Sequence, residues 1–197
     1  MLTPEEQREL LRIARQAIAD ALPRGDAPRA NGGEDVRKNG QTARQPGDSR
    51  LGKPGGAFVT IRIKGELRGC IGYIESALPL AEVVKEVAVK AAYEDPRFPS
   101  LTAAEFGRIA LEVSVLSPLH RISEVGEIQV GSNGLLLELA GSRGLLLPQV
   151  ATEYHWTREE LLENTSRKAG LPRNAWQDPE ARMFIFTADI VHEEEHE

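Results

Sequence analysis

A run of β-branched residues, followed after a short turn by a second candidate strand, constrains this chain more than any other feature. Residues 57–63, AFVTIRI, read as a strand. Lys64, Gly65 and Glu66 make a turn, and residues 67–74, LRGCIGYI, read as the return strand. A turn this short sends the second run back along the first, so the pairing is antiparallel.

The flanking segments decide the fold class. Thr3, Pro4 and Glu6 form a helix start, with Thr3 as N-cap and Glu6 closing a capping box. Leu10, Leu11, Ala14, Ala17, Ile18 and Ala21 then recur as one apolar stripe up to Pro23. A second helix is expected from Pro79 to about Tyr93. It stops at Asp95-Pro96, because a residue before proline disfavours the helical region. Thr102 with Glu105 caps a helical turn, and Thr157 with Glu160 opens a later helix that Gly170 closes. ALEVSVL at 110–116 alternates as a third strand. Short strands are expected at 128–130, 135–139 and 144–147, and a final one at 183–191. Helices and strands do not alternate regularly. The expectation is an α+β fold, a mainly antiparallel sheet with flanking helices.

Residues 1–22 are assigned to the main body, which resumes at Ala57 and runs to residue 191. Between them, residues 23–56 hold eight Gly and four Pro with no apolar period. Such a stretch cannot offset its ordering entropy, so a flexible loop is expected. Residues 192–197 are expected to be a frayed acidic tail.

Composition excludes several functions. One cysteine permits neither an intrachain disulfide nor a zinc site built on paired thiols. Lys plus Arg number 24 against 30 Asp plus Glu, a net charge of -6. A broad phosphate-binding surface needs the opposite balance, so nucleic acid is not the expected partner. No apolar run is long enough to span a membrane, and the charged N-terminus lacks a signal core. A free thiol without an export signal reads as cytoplasmic.

The segment Leu67-Arg68-Gly69-Cys70-Ile71-Gly72 carries the most chemistry. On a regular strand Arg68 and Cys70 point to one face, and a guanidinium beside a thiol favours the thiolate. Gly69 and Gly72 let a ligand or another backbone approach closely. The competing reading is a small buried cysteine in a tightly packed strand. Asp95 and Arg97 either close a surface turn or present charge to a ligand. Gln149, after GLLLP, is either a backbone hydrogen bonder or a ligand contact. His192-Glu193-Glu194-Glu195-His196 spells a zinc-protease pattern, but it follows a strand and has almost no chain left to support a helix. No metal cluster, P-loop or dinucleotide fingerprint is present, and no cofactor is expected.

The order of AFVTI, LRGCIG, AAYEDPRF, LEVSVLSP, VGSNGLLL, GLLLPQVA and KAGLP resembles the AMMECR domain family, whose bacterial members are called AmmeMemoRadiSam system protein A. The resemblance covers about residues 57–190. It implies a larger sheet-and-helix part with a smaller annex, and association with a Memo-like protein and a radical S-adenosylmethionine enzyme. Two functions then stand side by side. One is a binding module holding a small molecule or partner at Arg68 and Cys70, with Gly69, Gly72, Asp95, Arg97 and Gln149 as further candidate ligand contacts. The other is an enzyme with Cys70 as thiolate nucleophile.

Overall fold

The computed structural model describes residues 1–22 and 49–193. In chain order the helices are α1 (Pro4–Ala21), α2 (Leu80–Tyr93), α3 (Ala103–Phe106), α4 (Pro148–Glu153) and α5 (Arg158–Lys168). The strands are β1 (Ala57–Ile63), β2 (Glu66–Tyr73), β3 (Ile109–Leu116), β4 (His120–Ile122), β5 (Gly134–Leu139), β6 (Ser142–Leu146), β7 (Arg182–Phe186) and β8 (Ala188–His192). They form two antiparallel four-stranded sheets with flanking helices, an α+β fold. The chain divides into two compact units, Met1–Ser114 with the chain from Val191, and Val115–Ile190. The run 57–191, continuous in the sequence reading, is thus shared between them.

In the first unit the sheet order is β2-β1-β3-β8. α1 starts as its sequence dictates: Glu6 N–H donates to Thr3 Oγ1 at 3.3 Å and Thr3 N–H donates back to Glu6 at 2.9 Å. Leu10, Ala14, Ala17 and Ile18 give it a buried face, and it packs against α2. Each large side chain fully buried in this way contributes about 2 kcal/mol. α2 turns Leu80, Val83, Val84, Val87 and Ala91 inward and packs on β1 and β2.

Two carboxylates tie distant segments to this frame. Glu6 also accepts from Ser49 Oγ at 2.9 Å and from the Arg50 amide at 2.8 Å. These bonds, with those from Thr3, hold its carboxyl down at about 2. Residues 49–56, the described end of the Gly/Pro-rich stretch, include a 3-10 turn at Arg50–Gly52 capped by Ser49. Residues 23–48, where a flexible loop is expected, lie outside the described residues, as do residues 194–197. Glu193, expected to fray, accepts from Arg15 and from the Leu111 amide, while its own amide donates to Leu111 O at 2.8 Å.

In the second unit the order is β4-β7-β5-β6, antiparallel throughout. Ile122, Ile128, Leu135, Ala151, Leu161 and Leu162 form its core, with Trp156 and Trp176 packed against them. Four details differ from the sequence reading. Ile128 is buried but lies in no strand: its amide donates to Val125 O and its carbonyl accepts from Arg158 Nε. Those bonds replace the ladder that an apolar run suggested. The strand expected at 183–191 is two strands, because Thr187 leaves the ladder to exchange hydrogen bonds with Ser117. β4, short and polar at His120 and Arg121, gives no periodic signal. Pro148 opens a helix instead of merely ending a strand, since its fixed φ suits the first helical position.

Both two-residue hairpin turns have positive φ at each central residue, Lys64 and Gly65 after β1, Ala140 and Gly141 after β5. This is the signature of the type I′ turn, whose twist matches the strands. Ala140 holds φ 49° without a polar side chain to offset it. Ala140→Gly is therefore expected to raise stability by about 0.5–1 kcal/mol in urea unfolding. Unchanged or lower stability would show that the turn carries no such strain.

Candidate functional site

The site is built on β2, an outer strand of the first unit's sheet. Its register against β1 is not the one a two-residue turn imposes along its whole length. Ile63 pairs with Glu66 and Arg62 with Leu67, but the next pair is Ile61 with Gly69. Arg68 is the extra residue of a bulge, which shifts Cys70 from opposite Val59 to opposite Thr60. Thr60 Oγ1 then donates to Cys70 Sγ at 3.3 Å. The two-residue parity behind a shared Arg68 and Cys70 face is lost at the bulge. Arg68 instead donates through Nε and Nη2 to the two oxygens of Glu105, at 2.9 and 3.2 Å. Its side chain is only 13% exposed in that pair. Arg68, the Thr102 amide and the Thr102 hydroxyl together hold the Glu105 carboxyl at about 2.

Asp95 and Arg97 come to Cys70 from the loop after α2. Asp95 is 4% exposed. Its Oδ2 accepts from the Cys70 amide at 2.9 Å, and its Oδ1 accepts from the Arg97 amide at 3.1 Å. The Arg97 guanidinium grips both oxygens, at 3.0 and 2.7 Å, and Nη2 also donates to Cys70 O at 3.2 Å. The Cys70 N–H and C=O therefore point away from β1 and are satisfied by one ion pair. An open sheet edge normally leaves such groups to water or to another chain, and here a charged loop caps them. The Arg97 side chain is 51% exposed and its guanidinium lies 5.4 Å from the Phe98 ring centre. Nη1 meets no acceptor among the described residues.

The electrostatics separate the two candidate roles of Cys70. Burial pushes the thiol pKa up. The Thr60 hydrogen bond and the Arg97 charge pull it down, while Asp95 and Glu112 push it up again. The net direction is upward, toward the neutral thiol. Asp95 moves the other way: the Arg97 guanidinium, helped by the Cys70 and Arg97 amides, holds its carboxyl far below the ordinary range.

The glycines of the motif serve packing. A Cβ on Gly69 would lie 2.1 Å from the Ala91 carbonyl oxygen, so its absence lets β2 seat against α2. A Cβ on Gly72 would meet the Phe58 ring at 2.3 Å. Arg68, Gly69, Cys70, Gly72, Asp95 and Arg97 thus all belong to the first unit. Gln149 does not: it sits in the first turn of α4 in the second unit. Thr60, Glu105 and Glu112 were missed from sequence. Thr60 needed the bulge to be known, and the capping box had already explained Glu105. Among the described residues no three His, Cys, Asp or Glu side chains gather as metal ligands would.

A model of the AMMECR1 family matches residues 11–191. A protein of Methanothermobacter thermautotrophicus is 41% identical, covering 98% of this chain and 97% of its own length. A protein of Methanopyrus kandleri is 37% identical over 100% of this chain and 92% of its own. The crystal structure of an uncharacterised protein from Pyrococcus horikoshii superposes with a TM-score of 0.84 at 35% identity. It covers 98% of this chain and 94% of that one.

Asp95→Asn tests the cap. It keeps the shape but removes the charge that Arg97 grips. The expected loss is about 2–3 kcal/mol at neutral pH, below the 3–5 of a fully buried pair because Arg97 is half solvated. A lowered carboxyl pKa contributes stability fully above the ordinary value near 3.8, and that contribution is lost as pH falls toward the folded value. The difference between the variant and the parent should therefore narrow below about pH 4 in acid unfolding. A difference independent of pH would mean that the carboxylate charge is not what matters.

Proposed function

The chain belongs to the AMMECR1 family, and within it we propose a binding module whose ligand carries an anionic group. The ligand, a small molecule or the side chain of a partner, engages the exposed edge of Arg97 beside Cys70. Arg68 and its Glu105 partner hold the bulge that sets the register there. One observation carries this reading: a half-exposed guanidinium held in place by a buried carboxylate, with Nη1 left to offer. Fixing the fork in advance lowers the ordering cost of binding, which is how an arginine becomes a selective anion receptor. Working with a Memo-like protein and a radical S-adenosylmethionine enzyme, as the family resemblance implies, the module would present or carry a small molecule for them.

A second reading keeps Cys70 as a nucleophile. The Thr60 hydrogen bond to sulfur and the Arg97 charge favour it, because both stabilise a thiolate. Burial outweighs them, and the Asp95 and Glu112 charges add to it. The binding reading is therefore the stronger.

Native mass spectrometry of the full chain, purified with and without Arg97→Ala, separates the two. The binding reading predicts a small anionic ligand released on denaturation and absent from the variant. A mass that stays on the denatured chain and maps to Cys70 would favour the nucleophile. Equal ligand in parent and variant would remove Arg97 from the site.

A further inference from the structure

A cleft in the second unit lies at the β5–β6 turn. Its volume is about 330 Å³, and Glu138, Leu139, Ser142, Arg143, Glu180 and Arg182 supply its side chains. The register explains the arrangement. Glu138 on β5 stands directly opposite Arg143 on β6 and Arg182 on β7. One carboxylate is thereby shared by two guanidiniums, through Arg143 Nε at 2.6 Å and Arg182 Nη2 at 3.0 Å. Glu138 is 16% exposed, whereas Arg143 and Arg182 are 50% and 58% exposed. Two guanidiniums carry about ten N–H donors, and one carboxylate offers about four acceptor sites. Most of the donors remain to be satisfied from outside, on the two strands that flank β5.

The turn that forms one wall is the one where Ala140 holds positive φ. The charge count then chooses the ligand. Arg143 and Arg182 are balanced by Glu138 and Glu180, which line the same cleft, so it is neutral overall and presents both signs of charge. A plain anion gains from the arginines and is opposed by Glu180. A small molecule bearing both charges can meet both kinds of side chain. We propose that this cleft binds a small zwitterion, its anionic group on the unspent donors of Arg143 and Arg182 and its ammonium on Glu180.

Three matched probes test this on the intact chain by amide chemical shifts: β-alanine carries both charges, propionate only the anion, and propylamine only the cation. β-Alanine is expected to shift residues 139–143 saturably, with at least tenfold weaker binding of either single-charge probe. Arg182→Gln should abolish the β-alanine response, and Glu180→Gln should remove the preference for β-alanine over propionate. Amide spectra otherwise matching the parent show that both variants are folded. Equal binding of propionate, or no saturable shift with any probe, would overturn the proposal.

Discussion

The Asp95 carboxylate is the interaction on which the edge of the first unit depends. It is almost wholly buried, and it has no choice but to be paired, because an isolated buried charge is untenable. Its partners are the Cys70 amide, the Arg97 amide and the Arg97 guanidinium. That set does three things together. It ends α2 with a defined loop, it satisfies the outward backbone groups of Cys70, and it fixes an arginine at the surface. The chemistry offered by the site follows from the third of these, and the safety of an exposed sheet edge follows from the second.

The bulge at Arg68 is the complementary constraint. Without it, Cys70 would oppose Val59, and the thiol would have an apolar neighbour in place of the Thr60 hydroxyl. The extra residue is itself useful, since its guanidinium ties β2 to the capping box of α3. Gly69 beside it gives up its side chain to the Ala91 carbonyl, so helix and sheet meet closely where the bulge disturbs the ladder. Two arginines near one cysteine thus have different duties: Arg68 is paired and largely covered, and Arg97 is paired but presented.

Much of this architecture is written locally. The β-branched run gives β1 and the short turn returns β2, Asp95-Pro96 ends α2, and three Thr-to-Glu capping boxes mark helix starts where they occur. These signals are legible because each is complete within a few residues. The family resemblance is legible for the same reason, carried by short motifs in order. What was hidden depends on partners far along the chain. Nothing near Arg68 announces Glu105, and nothing near Thr187 announces that Ser117 will draw it out of a strand. Pro148 is ambiguous by its own chemistry, equally able to end a strand or begin a helix. Gln149, a ligand candidate from its place after GLLLP, lies on α4 in the second unit.

The central claim is that Cys70 is a neutral thiol beside a presented arginine, a binding site and not a nucleophile. Titrating the thiolate absorbance of the native chain tests it most directly, because this protein has a single cysteine. The account predicts a midpoint above the free-cysteine value of about 8.5, unmoved by Arg68→Ala, whose guanidinium belongs to Glu105. A midpoint near or below neutrality, or one that rises when Arg68 is removed, would contradict it and return Cys70 to the role of nucleophile.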